Sequence, residues 1–203
     1  MGRVLRSDLA LVANWIAPGS AVLDLGCGDG ALLAYLQEEK DCRCVGVELD
    51  SANCLMSIEN GVEVIQQNLE DGLSMFSDHS FDCVLQLQSL QMVQHTEAML
   101  REIGRIGQEG IVTFPNFGHW THRLSILNGR MPVSKSLPYQ WYNSPNLRFS
   151  TMVDIIALAR ASGFRIVDCV ALHEGHEVRF MPNLLGSLAM LRLARDPAQN
   201  AFA

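Results

Sequence analysis

The sequence predicts an α/β fold in which seven strands form a mostly parallel sheet, closed by a C-terminal antiparallel hairpin and covered by helices on both faces. Apolar runs of strand length alternate with helical segments up to residue 115, which favours parallel strands joined by helical crossovers. The first strand breaks into a loop with glycine at positions 26, 28 and 30. The 203 residues suffice for one core, so we expect a single domain over 1–203 with an aromatic and proline-rich insertion at 115–149.

The glycine loop lies between the first predicted strand, 21–25, and a predicted helix at 31–37. A residue without Cβ reaches positive φ angles and lets a ligand approach the backbone. The start of the helix points free N–H groups into the same space. The loop therefore predicts a ligand cradle, and a plain strand-to-helix turn that happens to use glycine is the alternative.

The second predicted strand, 44–49, brings an acid to the same edge of the sheet. Glu48 follows Gly30 by 48 − 30 = 18 residues, near the spacing at which a carboxylate accepts hydrogen bonds from both hydroxyls of a ribose. Asp24 and Asp29 flank the loop without a nearby basic residue, so a pyrophosphate would be repelled. S-adenosylmethionine has no phosphate and carries an ammonium and a sulfonium, so it suits these flanks better than a dinucleotide does.

The remaining elements follow from periodicity and from capping signals. Helices are predicted at 6–16, 50–58, 96–106, 123–127, 151–161 and 182–195, and strands at 62–65, 80–87, 110–115, 164–172 and 177–181. The helix at 151–161 opens with a capping-box pattern, Thr151 followed by Asp154. Leu55 and Ile58 are the expected core positions of the helix at 50–58. Residues 196–203 are expected to form a frayed tail.

The insertion at 115–149 interrupts the alternation. It contains four of the seven prolines and two of the three tryptophans, and a loop of this length in a compact domain is usually functional. Because it follows the fifth strand, it begins at the same sheet edge as the glycine loop and can cover a ligand or form a docking face. An aromatic plug packed on the sheet edge is the alternative.

Charge and composition exclude several classes of partner. The net charge of −7, without a run of Lys or Arg, argues against nucleic acid. No apolar run approaches the ~18 residues of a membrane span, and no secretory signal pattern precedes the first helix. The six cysteines show no C-x-x-C pairing and suit a reducing compartment. We therefore expect a cytoplasmic protein without a nucleic-acid or membrane partner.

No catalytic residue is identified by spacing. The candidate bases for a methyl transfer are His95, His119, His122, Tyr139 and Tyr142. The His119-x-x-His122 pair and a second pair, His173-x-x-His176, each offer two metal ligands, but no third and fourth ligand is spaced to complete a site. We therefore expect no metal and leave the catalytic residue open.

Two segments carry a family resemblance, Asp24-Leu25-Gly26-Cys27-Gly28-Asp29-Gly30 and Val45-Gly46-Val47-Glu48. They resemble the first two motifs of class I S-adenosylmethionine-dependent methyltransferases, which implies a Rossmann-like fold and S-adenosylmethionine or S-adenosylhomocysteine as cofactor. The cofactor-binding residues expected on this basis are Asp24, Gly26, Cys27, Gly28, Gly30, Glu48, Leu49, Asn68, Leu69 and Gln86. Asn68 stands where these enzymes usually have an acid that receives the adenine amino group. The Asn68 amide oxygen can accept the same hydrogen bond, although it is uncharged. The Leu69 N–H would then donate to adenine N1.

A closer resemblance covers nearly the whole chain. The segments 23–30, 88–91, 114–120, 129–133 and 137–146 are similar to the MetW family of bacterial methionine-biosynthesis proteins, and the last three are specific to that family. The resemblance implies a protein partner, the homoserine O-acyltransferase of the pathway, whose activity depends on this chain. Two hypotheses follow. In one, residues 115–149 dock on the acyltransferase and bound S-adenosylmethionine tunes the complex; in the other, the chain is a small-molecule methyltransferase that uses the same segment as a lid.

Overall fold

The computed structural model describes residues 5–196. The predicted frayed tail lies almost entirely outside them. The helices are α1 (Ser7–Trp15), α2 (Ala31–Lys40), α3 (Ser51–Glu59), α4 (Thr96–Ile106), α5 (Trp120–Leu127), α6 (Met152–Ala161) and α7 (Pro182–Leu185). The strands are β1 (Ala21–Leu25), β2 (Arg43–Glu48), β3 (Glu63–Gln66), β4 (Phe81–Leu87), β5 (Gly107–Pro115), β6 (Phe164–His173), β7 (His176–Val178) and β8 (Leu188–Arg195).

These strands form one mixed sheet in the order β3-β2-β1-β4-β5-β8-β6-β7. β1 to β5 are parallel, whereas β8 is antiparallel to both β5 and β6, and β7 is antiparallel to β6. The predicted α/β class with a parallel sheet and a C-terminal antiparallel hairpin is confirmed. The described residues form eight strands, so the predicted number of seven is wrong.

Helices cover both faces of the sheet, as predicted. Side chains alternate between two hydrophobic clusters along the central strands, with Leu23 and Val84 in one and Val22 and Leu85 in the other. The parallel strands end at one edge of the sheet, where the glycine loop leaves β1. The fold therefore leaves that edge to loops, as open α/β sheets do around their ligands.

The predicted terminal helix at 182–195 is wrong. Only a four-residue helix forms, and the chain then continues as β8, paired in register with β5 on one side and β6 on the other. The β8 sequence, Leu-Ala-Met-Leu-Arg-Leu-Ala-Arg, consists of good helix formers. Two flanking strands that need a partner override this local preference, because a central strand buries both of its faces and satisfies both ladders.

The predicted core positions of α3 are also wrong. Leu55 and Ile58 are 62% and 60% exposed, whereas Cys54 and Ser57 are buried. The Ser57 hydroxyl donates to the Gly28 carbonyl at 2.9 Å. Small side chains on the inner face of α3 thus let the helix approach the glycine loop closely, and its large apolar residues face outward.

Candidate functional site

A cleft of about 420 Å³ opens beside the glycine loop. Its walls are the loop itself, the start of α2, the end of β4 and N-terminal residues that include Leu5, Arg6 and Leu9. We call this space the nucleoside cleft. The N-terminal residues thus reach the glycine loop from outside the predicted strand–helix–strand unit. Arg6 also corrects the expectation that no basic residue lies near the loop, although its guanidinium pairs with Asp8 at 3.0 Å.

Of the three loop glycines, only Gly28 faces open space. Its φ is +59°, and a Cβ added there would meet nothing within 4 Å. A Cβ on Gly26 would lie 3.1 Å from the Cβ of Ser89, and a Cβ on Gly30 would lie 2.8 Å from the hydroxyl of Ser57. Packing therefore accounts for glycine at 26 and 30. At position 28 the open space is available for a ligand that approaches the backbone.

The Glu48 carboxylate lies against the glycine loop. Its Oε2 atom accepts a hydrogen bond from the N–H of Gly28 at 2.8 Å, and its Oε1 atom accepts from Leu49 and Asp50 at 2.8 and 2.9 Å. A carboxylate offers about four acceptor positions, so three are in use. One ribose hydroxyl can be accepted directly, and a second requires Glu48 to release a backbone bond.

Asp24 lies on β1 beneath the cleft and carries an unsatisfied polar atom. The side chain is 3% exposed, and its Oδ1 has no hydrogen-bond partner among the described residues. Burial, followed by the nearby charge of Glu48, raises the pKa of Asp24 to about 7. A cationic group in the cleft would supply the missing partner and favour ionised Asp24.

Cys27 completes the loop as a neutral thiol. Burial is the main cause that raises its pKa to about 12, with the charge of Asp24 second. Its side chain occupies the space above Gly46, where a Cβ would clash with the Cys27 sulfur. Cys27 therefore shapes the cleft and does not serve as a nucleophile.

Of the predicted cofactor residues, Asp24, Gly26, Cys27 and Gly28 line this cleft, whereas six do not: Gly30, Glu48, Leu49, Asn68, Leu69 and Gln86. Leu49 is 61% exposed at the end of β2, where an apolar surface is free to pack against a flat ring. The Asn68 amide oxygen accepts a hydrogen bond from the N–H of Glu70 at 3.0 Å and so caps a short 3₁₀ helix that begins at Leu69. Gln86 is fully buried on β4, and neither of its amide atoms has a hydrogen-bond partner among the described residues.

A second cavity of about 430 Å³, here named the histidine pocket, adjoins the nucleoside cleft at Gln88, which lines both. Gln88 has a positive φ of 53° and donates from its side chain to Asp8 at 3.2 Å. Three imidazoles line the histidine pocket: His119, His122 and His173. The pocket lies where β5 and β6 end, so only the folded sheet brings these histidines together.

The imidazoles of the histidine pocket pack on one another. The rings of His119 and His173 stack with centroids 4.9 Å apart, and those of His119 and His122 meet edge to face at 5.6 Å. Of the other candidate bases, His95 lines a separate cavity of about 590 Å³, and Tyr139 and Tyr142 are exposed. Over residues 5–196, no three His, Cys, Asp or Glu side chains are arranged to hold a metal ion.

The insertion presents an exposed apolar surface. Among the described residues, 11 of the 21 exposed large hydrophobic side chains lie within 115–149, although this segment is only 35 residues long. The most exposed are Leu127, Trp141 and Tyr142, at 81%, 72% and 70%. A surface of this kind usually marks a site of interaction. These side chains are not packed on the sheet edge as a plug.

Asn116 anchors the insertion. Its side-chain amide donates to the carbonyls of Asn183 and Gly186 at 3.0 and 2.8 Å, and its oxygen accepts from the N–H groups of Gly118 and Met152 at 3.0 and 3.2 Å. The side chain is fully buried, and all four of its hydrogen-bonding positions are used. Asn116 is therefore a structural residue.

Comparison with known proteins gives a family match over most of the chain. The model of the family described as "Methionine biosynthesis protein MetW" matches residues 6–193. A curated relative from Rhodopirellula baltica, the bifunctional methionine biosynthesis protein MetXA/MetW, is 35% identical over 161 residues, which are 74% of this chain and 26% of the relative. The chain thus spans about a quarter of the length of that relative.

Solved structures show the fold. An S-adenosylmethionine-dependent methyltransferase from Mesorhizobium loti matches with a TM-score of 0.69 at 14% identity, over 93% of this chain and 98% of that one. The magnesium protoporphyrin IX methyltransferase of Synechocystis PCC 6803, solved with bound S-adenosylhomocysteine, matches with a TM-score of 0.64 at 19% identity, over 94% and 81%. The chain has the Rossmann-like fold of class I methyltransferases. No described helix is long and apolar enough to cross a membrane.

Proposed function

This chain belongs to the MetW family of methionine-biosynthesis proteins, and on that premise we propose that it binds S-adenosylmethionine and supports the homoserine O-acyltransferase of the pathway. The observation that carries the proposal is the relative in which MetXA and MetW form one chain, because fused partners commonly act together. We also propose a cytoplasmic location, which the six free cysteines support.

The nucleoside cleft, together with the Glu48 carboxylate bound to its loop, offers groups that match those of the cofactor. Asp24 lacks a partner for one carboxylate oxygen and lies where a cationic ligand group would supply it. Gly28 leaves open space over the backbone, and Glu48 retains an acceptor position for a ribose hydroxyl. We expect the exposed Leu49 to pack against the adenine and Asn68 to accept its amino group. When bound, S-adenosylmethionine would supply a methyl group on a cationic sulfur.

The apolar surface of residues 115–149 is the proposed docking face for the acyltransferase. Its aromatic members, including Trp141 and Tyr142, are of the type enriched at the centres of protein interfaces. Ordered contacts such as those of Asn116 hold the base of the segment, so the surface is presented on a fixed frame.

The test is an activity measurement with the two purified proteins. The rate of O-acylhomoserine formation by the acyltransferase is measured alone, with this chain, and with this chain plus S-adenosylmethionine. We expect the chain to raise the rate and the cofactor to change the extent of activation. A rate that is the same with and without the chain would refute the accessory function.

A matched pair of variants locates the docking face. Replacing Trp141 and Tyr142 together by Ser removes two exposed side chains from the insertion, and replacing Leu55 and Ile58 together by Ser removes two from α3. We expect only the insertion variant to lose activation. Equal loss in both variants would place the docking face elsewhere.

A small-molecule methyltransferase is the second candidate function. The observation in its favour is the histidine pocket, which adjoins the nucleoside cleft at Gln88 and offers room for an acceptor. Formation of S-adenosylhomocysteine from S-adenosylmethionine in the presence of small-molecule extracts tests it. Cofactor binding without turnover across such extracts would count against this activity and leave the accessory function in place.

A further inference from the structure

A short connection joins the nucleoside cleft to the far end of the insertion. It consists of residues 88–94, between β4 and α4, and we call it the bridge. One 3₁₀ turn, Leu90–Met92, forms within it. At its start, Gln88 lines the nucleoside cleft, and the hydroxyl of Ser89 donates to the carbonyl of Leu25, just before the glycine loop, at 2.9 Å. The bridge therefore begins in the wall of the proposed cofactor site.

The bridge also binds the last residues of the insertion. The carbonyl of Gln91 accepts hydrogen bonds from the N–H groups of Leu147 and Arg148 at 2.9 and 3.0 Å. The guanidinium of Arg148 donates to the carbonyl of Gln94 at 2.7 Å. Leu147 and Phe149 are 48% and 46% exposed, so this end of the insertion belongs to the apolar surface proposed as the docking face. One segment thus contacts both proposed binding regions.

The first path through the bridge runs from Gln88 to Gln91. The side-chain amide of Gln91 donates to the carbonyl of Gln88 at 2.6 Å. Gln88 has a positive φ of 53°, and its N–H is held by the carbonyl and hydroxyl of Thr113 at 2.9 and 3.0 Å. A residue other than glycine keeps such a conformation only where its surroundings fix it, so Gln88 should respond to a ligand beside it. A shift of Gln88 would then reach the bonds that Gln91 makes to residues 147–148.

The second path starts at the residues proposed to bind adenine. The side-chain oxygen of Asn68 accepts from the N–H of Glu70 at 3.0 Å. The carboxylate of Glu70 accepts in turn from the N–H of Gln94 at 2.5 Å, a charge-assisted hydrogen bond of the stronger kind. The carbonyl of Gln94 is the group that receives the Arg148 guanidinium. Glu70 therefore connects the loop after β3 to the residue that anchors the end of the insertion.

We propose that the bridge couples the two binding events, so that S-adenosylmethionine in the cleft and the acyltransferase on the insertion each tighten the binding of the other. This inference rests on the proposed function and adds to it the sign of the effect and the residues that transmit it. The partner that binds first orders the bridge, and the second partner then does not bear that cost. Coupling of affinities is reciprocal, and we expect a factor of about fivefold to tenfold in both directions.

The coupling is measured as a thermodynamic cycle with the full chain and the purified acyltransferase. Interferometry gives the affinity of the two proteins with and without saturating S-adenosylmethionine, and calorimetry gives the affinity for S-adenosylmethionine of the free chain and of the complex. We expect the two ratios to agree. Binding of both partners with a ratio of one would overturn this inference and leave the accessory function standing. Absence of binding to the acyltransferase would overturn both.

Glu70→Ala interrupts the second path without removing a group from either binding region. Its backbone N–H still serves Asn68, so we expect the affinity for each partner, measured one at a time, to stay within about twofold of the parent. The coupling ratio should fall to about twofold, because only the path through Gln91 remains. Asp71→Ala is the matched control, since it removes the same charge from the same 3₁₀ helix, Leu69–Asp71, outside this path. A parent-like ratio in Glu70→Ala, or an equal loss in both variants, would overturn the proposal.

An NMR measurement on the chain alone separates a missing path from a missing partner. Titration with S-adenosylmethionine should move the backbone and guanidinium N–H resonances of Arg148, which does not line the nucleoside cleft. The shift should shrink in Glu70→Ala and persist in Asp71→Ala. A parent chain that binds S-adenosylmethionine without any shift at Arg148 would overturn the path, whatever the acyltransferase does.

Discussion

The parallel half of the sheet, β1 to β5, and the C-terminal half, which follows β5, are held by contacts that span different lengths of chain. In the parallel half, the Glu48 carboxylate joins the glycine loop across 20 residues, within one strand–helix–strand unit. In the C-terminal half, Asn116 joins the start of the insertion to Gly186 across 70 residues. The Glu48 contact forms between neighbouring elements, whereas the Asn116 contact needs the insertion, α6, β6, β7 and α7 to be in place.

This difference assigns separate roles to the two halves. The parallel half carries a cleft with an unsatisfied acid and an open glycine, which suit a small cationic ligand. The C-terminal half carries the exposed apolar surface of 115–149, which suits a protein partner. Substitutions in one half should therefore disturb binding of one class of ligand and spare the other.

Gly28→Val gives the largest expected effect. The side chain would fill the open space beside the loop, so we expect the affinity for S-adenosylmethionine, measured by calorimetry, to fall at least about 1000-fold. Gly19→Val is the control, because Gly19 also has a positive φ, +76°, and open space around its Cβ position. Both variants carry backbone strain of about 1–2 kcal/mol, but Gly19 does not line the nucleoside cleft, so equal affinities in the two would show that the ligand does not need the space at position 28.

Asn116→Ala tests the long-range contacts of the C-terminal half. It leaves the carbonyls of Asn183 and Gly186 and the N–H of Gly118 without their partner, while the Met152 N–H keeps only the Asn183 side-chain oxygen at 3.2 Å, so we expect the free energy of unfolding in urea to fall by about 3 kcal/mol or more. Asn143→Ala removes one exposed bond, to the N–H of Gln140, and should cost less than about 1 kcal/mol. A similar small loss in both variants would mean that Asn116 does not anchor the insertion.

Glu48→Ala should weaken S-adenosylmethionine binding by about 1.5–3 kcal/mol, the usual range for hydrogen bonds to a charged group. The same variant releases the N–H of Gly28, so part of the loss reflects a looser loop. A comparison of S-adenosylmethionine with its 2′-deoxy analogue separates the two causes. If Glu48 contacts the ribose, the parent should distinguish the two ligands and the variant should not; equal discrimination by both proteins would argue against the ribose contact.

The buried Asp24 carboxyl should make the affinity for S-adenosylmethionine depend on pH. The pKa of Asp24 is raised from 3.8 to about 7, so Asp24 becomes charged, and a cationic ligand should bind better, as the pH rises through 7. Below pH 7 the affinity should rise by up to about tenfold for each unit of pH. Protonated Asp24 stabilises the free protein, and this contribution is lost as the pH rises from about 4 through 7. Asp24→Asn should flatten the affinity profile between pH 5.5 and 8. A profile of unchanged slope would show that Asp24 does not cause the pH dependence.

The parallel half was predicted closely because its signals are local. β1 and α4 have the predicted bounds. The Glu48 carboxylate binds the glycine loop, as the spacing of the motif indicated. The capping box at Thr151 and Asp154 is also present as predicted. In these segments, propensity, hydrophobic period and capping all favour the same structure, so neighbouring residues are enough to identify it.

The errors fall where packing or pairing between elements, and not the local pattern, decides the structure. The segment 188–195 has the composition of a helix, yet it becomes a strand because β5 and β6 need a strand between them. On α3, the close approach to the glycine loop selects the face with Cys54 and Ser57 and turns Leu55 outward. The histidine pocket was likewise not foreseen, because His119 and His173 lie 173 − 119 = 54 residues apart in the chain.

Local patterns of residues were enough to predict the α/β class, the alternation of strands and helices and the acidic glycine loop, because each depends on residues within one strand–helix–strand unit. Tertiary structure alone decided the place of β8, the contact of the N-terminal residues with the nucleoside cleft and the assembly of the histidine pocket. These features arise from pairing and burial between segments far apart in the chain, which no local pattern of residues records.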